Sequence, residues 1–267
     1  MSGFPKLRVS VLMPVFNERA TVEHAIDRVR EVPMHTEVIC VDDCSSDGTR
    51  DILESLRRSG KVDKLILHDK NRGKGASVRD ALEVADGDVV VIQDADLEYD
   101  PMDILKLLGP VEDGRADAVF GSRFKGDVSR VLYYWHSLGN WGLTTMSNMF
   151  TNLNVSDMET CYKLVRRDLM KSLPLTSDRF GFEPELTARL AQARARIYEV
   201  PISYSGRTYA EGKKIRWTDG VAAFWHILKF NVFSAKAPVY RYKPQVLPQP
   251  AVAPAHRAQH LDHLESA

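Results

Sequence analysis

Residues 89–98 read VVVIQDADLE: four branched apolar residues, an amide, then carboxylates at positions 94, 96 and 98. An uninterrupted Val/Ile run without polar alternation predicts a strand covered on both faces. Along an extended segment, residues two apart share a face, so Asp94, Asp96 and Glu98 are expected to converge at the strand's end. Three like charges repel. An all-oxygen set suits Mg²⁺ or Mn²⁺, ions that complete their shell with substrate phosphates. Asp-x-Asp alone occurs often by chance, in solvated acidic turns. Its place directly behind an apolar strand favours the metal reading here.

The same strand-then-polar-rim pattern repeats on both sides. Arg8–Phe16 (RVSVLMPVF), Glu37–Val41 (EVICV), Leu65–Leu67 and Ala118–Gly121 (AVFG) read as further strands. Between them, Thr21–Val32, Thr49–Arg58, Lys74–Ala85 and Pro101–Leu108 carry apolar residues at helical spacing. Strands alternating with helices predict an α/β fold, a doubly wound and mostly parallel sheet flanked by helices. Ligands of such sheets sit beyond the carboxyl ends of the strands. The residues there are Asn17-Glu18, Asp42-Asp43 with Ser45, Ser46 and Asp47, Asn71-Arg72-Gly73-Lys74-Gly75, Asp94-Ala95-Asp96-Leu97-Glu98, and Ser122-Arg123.

Several of these segments have a plain structural reading as well. Asp42-Asp43 suits nucleoside hydroxyls and ring N–H groups, while Ser45, Ser46 and Asp47 suit the cap of the next helix. In NRGKG the two glycines allow a backbone to approach a ligand and Arg72 and Lys74 add positive charge, but a cationic turn into a helix has the same composition. The segment matches neither GxxxxGK[ST] nor GxGxxG. Further along, Arg207 and Gly212-Lys213-Lys214 place three cations around a glycine, which suits a pyrophosphate or a solvated basic loop.

Residues 133–152 (YYWHSLGNWGLTTMSNMFTN) mix aromatic, Leu and Met residues with small polar ones, too polar to span a bilayer and amphipathic enough to lie on one. Leu169–Leu173 and Pro184–Ala195 read as helices and Ile197–Tyr204 as a strand. Thr218–Phe233 reads as an aromatic-rich helix. Trp135, Trp141 and Trp225 suit a lipid surface or an ordinary core equally. From about residue 244, Pro, Ala, Gln and His dominate and a disordered tail is expected.

The 267 residues carry 36 Lys+Arg and 36 Asp+Glu. That zero net charge gives no support to nonspecific nucleic-acid binding. It conceals an asymmetry: residues 1–100 hold 14 cations and 20 anions, residues 101–267 hold 22 and 16. Cys40, Cys44 and Cys161 lack metal or redox spacing and read as reduced thiols. MSGFPKLR has no apolar core, so no secretory signal is expected, and no apolar run reaches the length of a membrane span.

Five motifs in fixed order then make the resemblance specific: Pro14-x-x-Asn17-Glu18, Val41-Asp42-Asp43-x-Ser45, Asn71–Gly75, Asp94-Ala95-Asp96-Leu97 and Gly121-Ser122-Arg123. Over roughly residues 8–233 the chain resembles the inverting family-2 glycosyltransferases of GT-A fold, in the branch of dolichol-phosphate mannose synthases and polyprenyl-phosphate glucosyltransferases. Asp157–Lys163 (DMETCYK) occupies the place of that branch's DxTSGF-type segment, and Arg207 with Gly212–Lys214 that of its RxxxxGxSK-type loop.

The resemblance implies one GT-A domain over 1–243, with a nucleotide-sugar half at 8–125 and an acceptor and membrane-interface half at 126–243 carrying C-terminal amphipathic helices. It implies that Pro14, Phe16, Asn17, Glu18, Asp42 and Asp43 hold base and ribose, with Arg72, Gly73, Lys74 and Ala95 beside the nucleoside or phosphates. Asp94, Asp96 and Glu98 would hold Mg²⁺ or Mn²⁺. Arg123, Arg207, Lys213 and Lys214 would bind donor pyrophosphate or acceptor phosphate, and Asp96, Arg123, Asp157 and Arg207 are the implied catalytic set. Glu98 stands where the family often has Gln, and Lys213 where it often has Ser, which leaves metal preference and donor open.

The implied reaction moves mannose or glucose from GDP-mannose or UDP-glucose to a polyprenyl phosphate at the cytosolic membrane face, by a peripheral protein without a transmembrane helix. A phosphate acceptor is already ionised, its second pKa being about 6, and needs no general base. A hydroxyl acceptor needs one, for which Asp157 and Glu159 are the candidates outside the acidic triad. Asp157 reads more readily as orienting Arg123. A family-2 transferase acting on a glycan or glycolipid hydroxyl, and a non-catalytic nucleotide-sugar-binding subunit, are the alternatives. A nucleotidyltransferase would share the sheet and the acidic site, but an early GxGxR-type loop is missing.

Overall fold

A computed structural model describes residues 5–125, 133–207 and 217–234. Lys213, Lys214 and the 244–267 tail lie outside the described residues. Seven strands form one sheet: β1 (Arg8–Val15), β2 (His35–Asp42), β3 (Lys64–Leu67), β4 (Val89–Ile92), β5 (Ala118–Ser122), β6 (Lys163–Arg166) and β7 (Ile197–Pro201). Their order is β3-β2-β1-β4-β6-β5-β7. The pairs β1/β2, β1/β4, β2/β3 and β5/β7 are parallel, whereas β6 runs antiparallel to both β4 and β5.

Burial explains why the strands look as they do in sequence. Every residue of β4 and β5 is buried, as is most of β1 and β2, so apolar runs replace the alternation of a half-exposed strand. The helices α1 (Val22–Glu31), α2 (Thr49–Arg58), α3 (Lys74–Glu83) and α4 (Ile104–Glu112) make the crossovers. α4 runs past the expected end at 108 and tolerates Pro110 within it. The strand β6 goes unread in the sequence because it is short and opens with a lysine, a residue rarely buried. Lys163 is buried nevertheless, and its Nζ donates to the carbonyls of Met158 (2.8 Å) and Thr160 (2.5 Å).

Beyond β5 come α5 (Tyr134–Thr151), α6 (Arg167–Ser172), α7 (Phe182–Gln192) and α8 (Trp217–Leu228), which continues as a π-turn over Lys229–Phe233. α5, α7 and α8 pack on one another. The strand expected over 197–204 stops at Pro201, and Tyr204 instead forms an isolated bridge to Tyr99. Strand order reverses at β1, which lies between β2 and β4. The carboxyl ends of β1 and β4 therefore flank the switch-point crevice where open α/β sheets bind ligands.

Candidate active site

Glu18 lies just past β1, at that crevice. Asn17 takes a left-handed φ of 53° to turn the chain there. Its backbone N–H donates to Ser45 Oγ and its Oδ1 accepts from the Ser46 N–H, both at 2.9 Å, which stitches the end of β1 to the end of β2. The Glu18 N–H donates to Thr49 Oγ1 (3.0 Å), and Glu18 Oε2 accepts from Thr21 Oγ1 (2.9 Å). Pro14 is half-buried inside β1, and the Phe16 ring stands exposed at the rim.

The two aspartates at the end of β2 are committed within the protein. Asp42, fully buried, is gripped by Arg50, whose Nε lies 2.8 Å from Oδ2. Asp43 accepts the backbone N–H groups of Arg72 and Gly73, both at 2.7 Å, and faces His68 Nδ1 at 2.7 Å. Its carboxylate thus shapes the 71–74 turn. The Arg72 guanidinium hydrogen-bonds Asp80 instead of standing over open space.

The glycines of NRGKG have a different occupant from the one the sequence suggests. A Cβ on Gly73 or Gly75 would collide with the main chain of Ser177 and Asp178, and Gly73 has φ +93°. The close approach they permit is to the 177–178 backbone, whose Asp178 carbonyl accepts the Ala76 N–H at 3.1 Å. Glu185 fixes that segment in turn, accepting the backbone N–H groups of Thr176 and Ser177.

The three carboxylates after β4 lie in a turn and divide between two cations, Lys74 and Arg207. β4 ends at Ile92, and Leu97 has φ +65°, so 94–98 is a turn and the alternation of an extended strand does not apply. Among the described residues no group of three or more His, Cys, Asp or Glu side chains is arranged to hold a metal ion. Asp94 pairs with Lys74 Nζ at 3.0 Å. Asp96 Oδ2 lies 3.1 Å from Arg207 Nη2. Glu98 accepts from Tyr204 Oη (2.7 Å), from the Arg207 backbone N–H (2.9 Å) and from Arg207 Nε (3.3 Å). Ala95 is buried between them.

The charges here are strongly perturbed. Burial, together with the charges of Asp94 and Glu98, pushes Asp96 up to about 7, against the opposing pull of Arg207. Burial would lower the Lys74 ammonium, yet Asp94 and Glu183 hold it well above the usual lysine range. Lys74 Nζ is 3.0 Å from Glu183 Oε1 as well as from Asp94.

A second constellation forms at the end of β5. Arg123 Nε and Nη2 reach Asp157 Oδ2 and Oδ1, each at 2.7 Å, and the Arg123 N–H adds a 3.1 Å bond to Oδ2. Burial would raise the Asp157 carboxyl, but the Arg123 charge and hydrogen bonds hold it below the usual range. The Arg123 guanidinium also lies 5.2 Å from the centre of the Tyr204 ring, a cation–π contact. Glu159 behaves oppositely. One of its oxygens is buried with no hydrogen-bond partner, and burial with the nearby charge of Glu183 pushes it up to about 7.

Glu183, Glu185 and Tyr204 were not legible as site residues in the sequence. The available signal was Glu183-Pro184-Glu185 between Phe182 and Leu186 in a run that otherwise reads as buried helix. A buried carboxylate requires a partner, and both glutamates are buried.

Comparison with known proteins bears on the family and the fold. The family model "Glycosyl transferase family 2" matches residues 10–173. An undecaprenyl-phosphate mannosyltransferase of Micrococcus luteus is 30% identical over 244 residues, covering 84% of this chain and 98% of that protein. A dolichol-phosphate mannosyltransferase of Pyrococcus furiosus is 26% identical over 212 residues, covering 78% of this chain but only 59% of its own length. Among solved structures, glucosyl-3-phosphoglycerate synthase from Mycobacterium tuberculosis in complex with Mn²⁺, UDP and glucosyl-3-phosphoglycerate superposes with a TM-score of 0.65 at 21% identity, covering 85% of this chain and 80% of that one. That likeness shows the fold, a GT-A sheet.

Proposed function

Because the chain belongs to glycosyl transferase family 2, we propose that it moves a hexose from a nucleotide sugar to a polyprenyl phosphate, with inversion at the anomeric carbon. The names of the Micrococcus and Pyrococcus relatives support the acceptor class and favour mannose over glucose, hence GDP-mannose over UDP-glucose. The observation that carries the reading is the state of Asp157. Its two oxygens are both spent on Arg123 and its pKa is held low, so it positions a cation and is a poor proton acceptor. An ionised phosphate needs a cation and no base.

In this reading Phe16, Glu18 and the β2 rim line the nucleoside pocket, and Asp43 acts indirectly by holding the 71–74 turn. Arg123, with Arg207, Lys213 and Lys214, meets phosphate oxygens, as planar forks and point charges do. The donor set fits a hard divalent ion, since Asp96 is buried with excess negative charge around it. Asp94 and Asp96 would hold Mg²⁺ or Mn²⁺, with Glu98 adjacent, and ions of this kind commonly use one or two carboxylates plus phosphates. Bound there, the ion supplies positive charge to the departing diphosphate. Complexes of the M. tuberculosis enzyme with Mn²⁺ or Mg²⁺ and UDP support this choice.

The chain as a whole is read as a donor half over 8–125 and an acceptor half over 126–243. No helix among the described residues is long and apolar enough to cross a membrane. α5 and α8 nevertheless expose large apolar side chains, Trp135 at 75%, Trp141 at 65% and Trp225 at 55%. Rings of this kind suit the interface of a bilayer, and a peripheral site at the cytosolic membrane face follows from the lipid acceptor.

The test is a panel of GDP- and UDP-hexoses with Mg²⁺ or Mn²⁺ and a short, soluble polyprenyl phosphate. One donor is expected to give a chelator-sensitive glycosyl phospholipid. Folded protein with no turnover from any donor would end the reading. A second reading, transfer to a hydroxyl, is favoured by Glu159 alone: its unpartnered oxygen and a pKa near 7 are what a general base requires. Glu159→Gln would then abolish transfer to a hydroxyl acceptor while leaving donor binding intact.

A further inference from the structure

Arg207 sits on carboxylates. Its three guanidinium nitrogens address three acids: Nη2 lies 3.1 Å from Asp96, Nε 3.3 Å from Glu98 and Nη1 3.7 Å from Glu18. The main chain fixes this placement, because the Arg207 N–H donates to Glu98 Oε1 and the Ser205 N–H to the Glu98 carbonyl, both at 2.9 Å. Lys74 occupies the other side of the cluster, between Asp94 and Glu183. The acids after β4 are thereby divided between two cations: Arg207 takes Asp96 Oδ2 and Glu98 Oε1, while Asp96 Oδ1 accepts the Glu98 N–H and Glu98 Oε2 accepts from Tyr204.

A divalent ion held by Asp94 and Asp96 needs the same Asp96 carboxylate. Two cations on one carboxylate repel across roughly 4 Å, and in a site of low dielectric that repulsion is several-fold stronger than in water. The ion and Arg207 therefore compete for Asp96. A guanidinium is weakly hydrated and its fork matches phosphate as well as carboxylate geometry, so once released it has a natural second partner in the phosphate groups that accompany the ion.

We propose that Arg207 is a resident counter-ion, holding Asp96 and Glu98 while the site lacks a metal and exchanging them for phosphate when a divalent ion arrives with its diphosphate. This rests on the metal reading above and extends it. Arg207 opposes binding of the ion alone and favours binding of the ion together with a phosphate ligand, so it couples the two events. Coupling is reciprocal: the ion must strengthen phosphate binding by the factor by which phosphate strengthens ion binding. The acids keep a cationic partner in both states, and a lone metal lodges less readily in the absence of donor.

Mn²⁺ binding to the full-length protein, followed by the electron paramagnetic resonance of the free ion, tests this without turnover. Titrations are run for the wild type, Arg207→Gln and Arg207→Lys, each alone and with saturating UDP or GDP. Melting curves confirm that each variant is folded. Arg207→Gln is expected to bind Mn²⁺ alone about tenfold more tightly than the wild type and to gain less from added nucleotide, in line with common coupling strengths. Arg207→Lys, which keeps the charge on a shorter chain with one point of contact, should fall between them. Equal or weaker Mn²⁺ binding by folded Arg207→Gln overturns the exchange while leaving the metal reading intact. Absence of Mn²⁺ binding by all three proteins, with or without nucleotide, overturns both.

Discussion

Arg123 and Asp157 meet side-on through two 2.7 Å hydrogen bonds, joining the end of β5 to the loop that leads into β6. The pair reaches further, since Asn140 on α5 contacts both partners at 3.4 Å. The guanidinium is therefore held between the sheet and the helix that carries the exposed aromatics, which is where the proposed function would bring a lipid-borne phosphate. Asp157→Asn keeps the shape and removes the charge, leaving a buried arginine without its counter-ion. Breaking one partner of a buried pair costs about 3–5 kcal/mol, so a marked fall in Tm is expected. Any activity that survives should show a raised KM for the phosphate acceptor with donor KM little changed. A double change of Arg123 and Asp157 should be less damaging to stability than the sum of the singles; additive losses in melting curves would show the pair to be uncoupled.

The 73–75 turn leads to a second expectation. Gly75→Ala places a methyl against the Ser177 carbonyl, and Gly73→Ala adds the strain of φ +93°. Both contacts are with main chain, which cannot swing away. Each alanine is expected to destabilise by several-fold more than the ~1 kcal/mol by which glycine-to-alanine changes stabilise at compatible sites. Because Lys74 lies between the two glycines, the variants should also weaken nucleotide-sugar binding. Thermal melts with donor titrations check both effects, and Gly60→Ala, where a Cβ meets nothing within 4 Å, controls for positive φ without a clash.

The strands were legible because each central one is buried on both faces and so is written as a Val/Ile-rich run. The rim was legible for a related reason: charged residues directly after such runs have few other places to go. Contacts between rim residues were not. Asp94, Asp96 and Glu98 look equivalent by alternation, yet the chain turns there, with Leu97 left-handed, and Asp94 goes to Lys74 while Asp96 and Glu98 share Arg207. NRGKG looks like a ligand cradle, but its glycines serve the backbone before α7, about 100 residues later. The β6 strand escaped notice because a lysine opens it, and nothing local tells that Lys163 finds two carbonyls. Sequence pattern carries local burial well; pairing across long separations depends on the assembled sheet.

The exposed face of α5 supplies a prediction about location. Trp135 and Trp141 are largely solvent-exposed, as is Trp225 on α8, so their removal leaves the core untouched. Trp135→Ala with Trp141→Ala is expected to leave Tm within about 2–4 °C, since surface changes rarely exceed ±0.5 kcal/mol each. Co-sedimentation with anionic phospholipid vesicles should fall about tenfold or more, because each interfacial ring contributes on the order of a kilocalorie. Undiminished vesicle binding by the double variant would remove these rings from the membrane surface.

Glu159 carries the pH dependence. Burial and Glu183 raise its folded pKa from 4.5 to about 7, while Lys163 and Arg123 pull it down and Asp157 pushes it up. A raised acid is held neutral by the folded state, so between about 4.5 and 7 the native protein binds more protons than the unfolded chain. Stability from this group is then fully present below 4.5, declines as pH rises through that window, and reaches its full cost above 7. Glu159→Gln keeps the size and stays neutral throughout. Its Tm should match the wild type near pH 4.5 and exceed it by a few degrees at pH 8. Transfer to polyprenyl phosphate should survive the change, whereas transfer to a hydroxyl would not. Parallel melting curves of the two proteins from pH 4.5 to 8.5 decide the first point, since a constant difference across that range would mean that Glu159 is ionised in the folded state throughout.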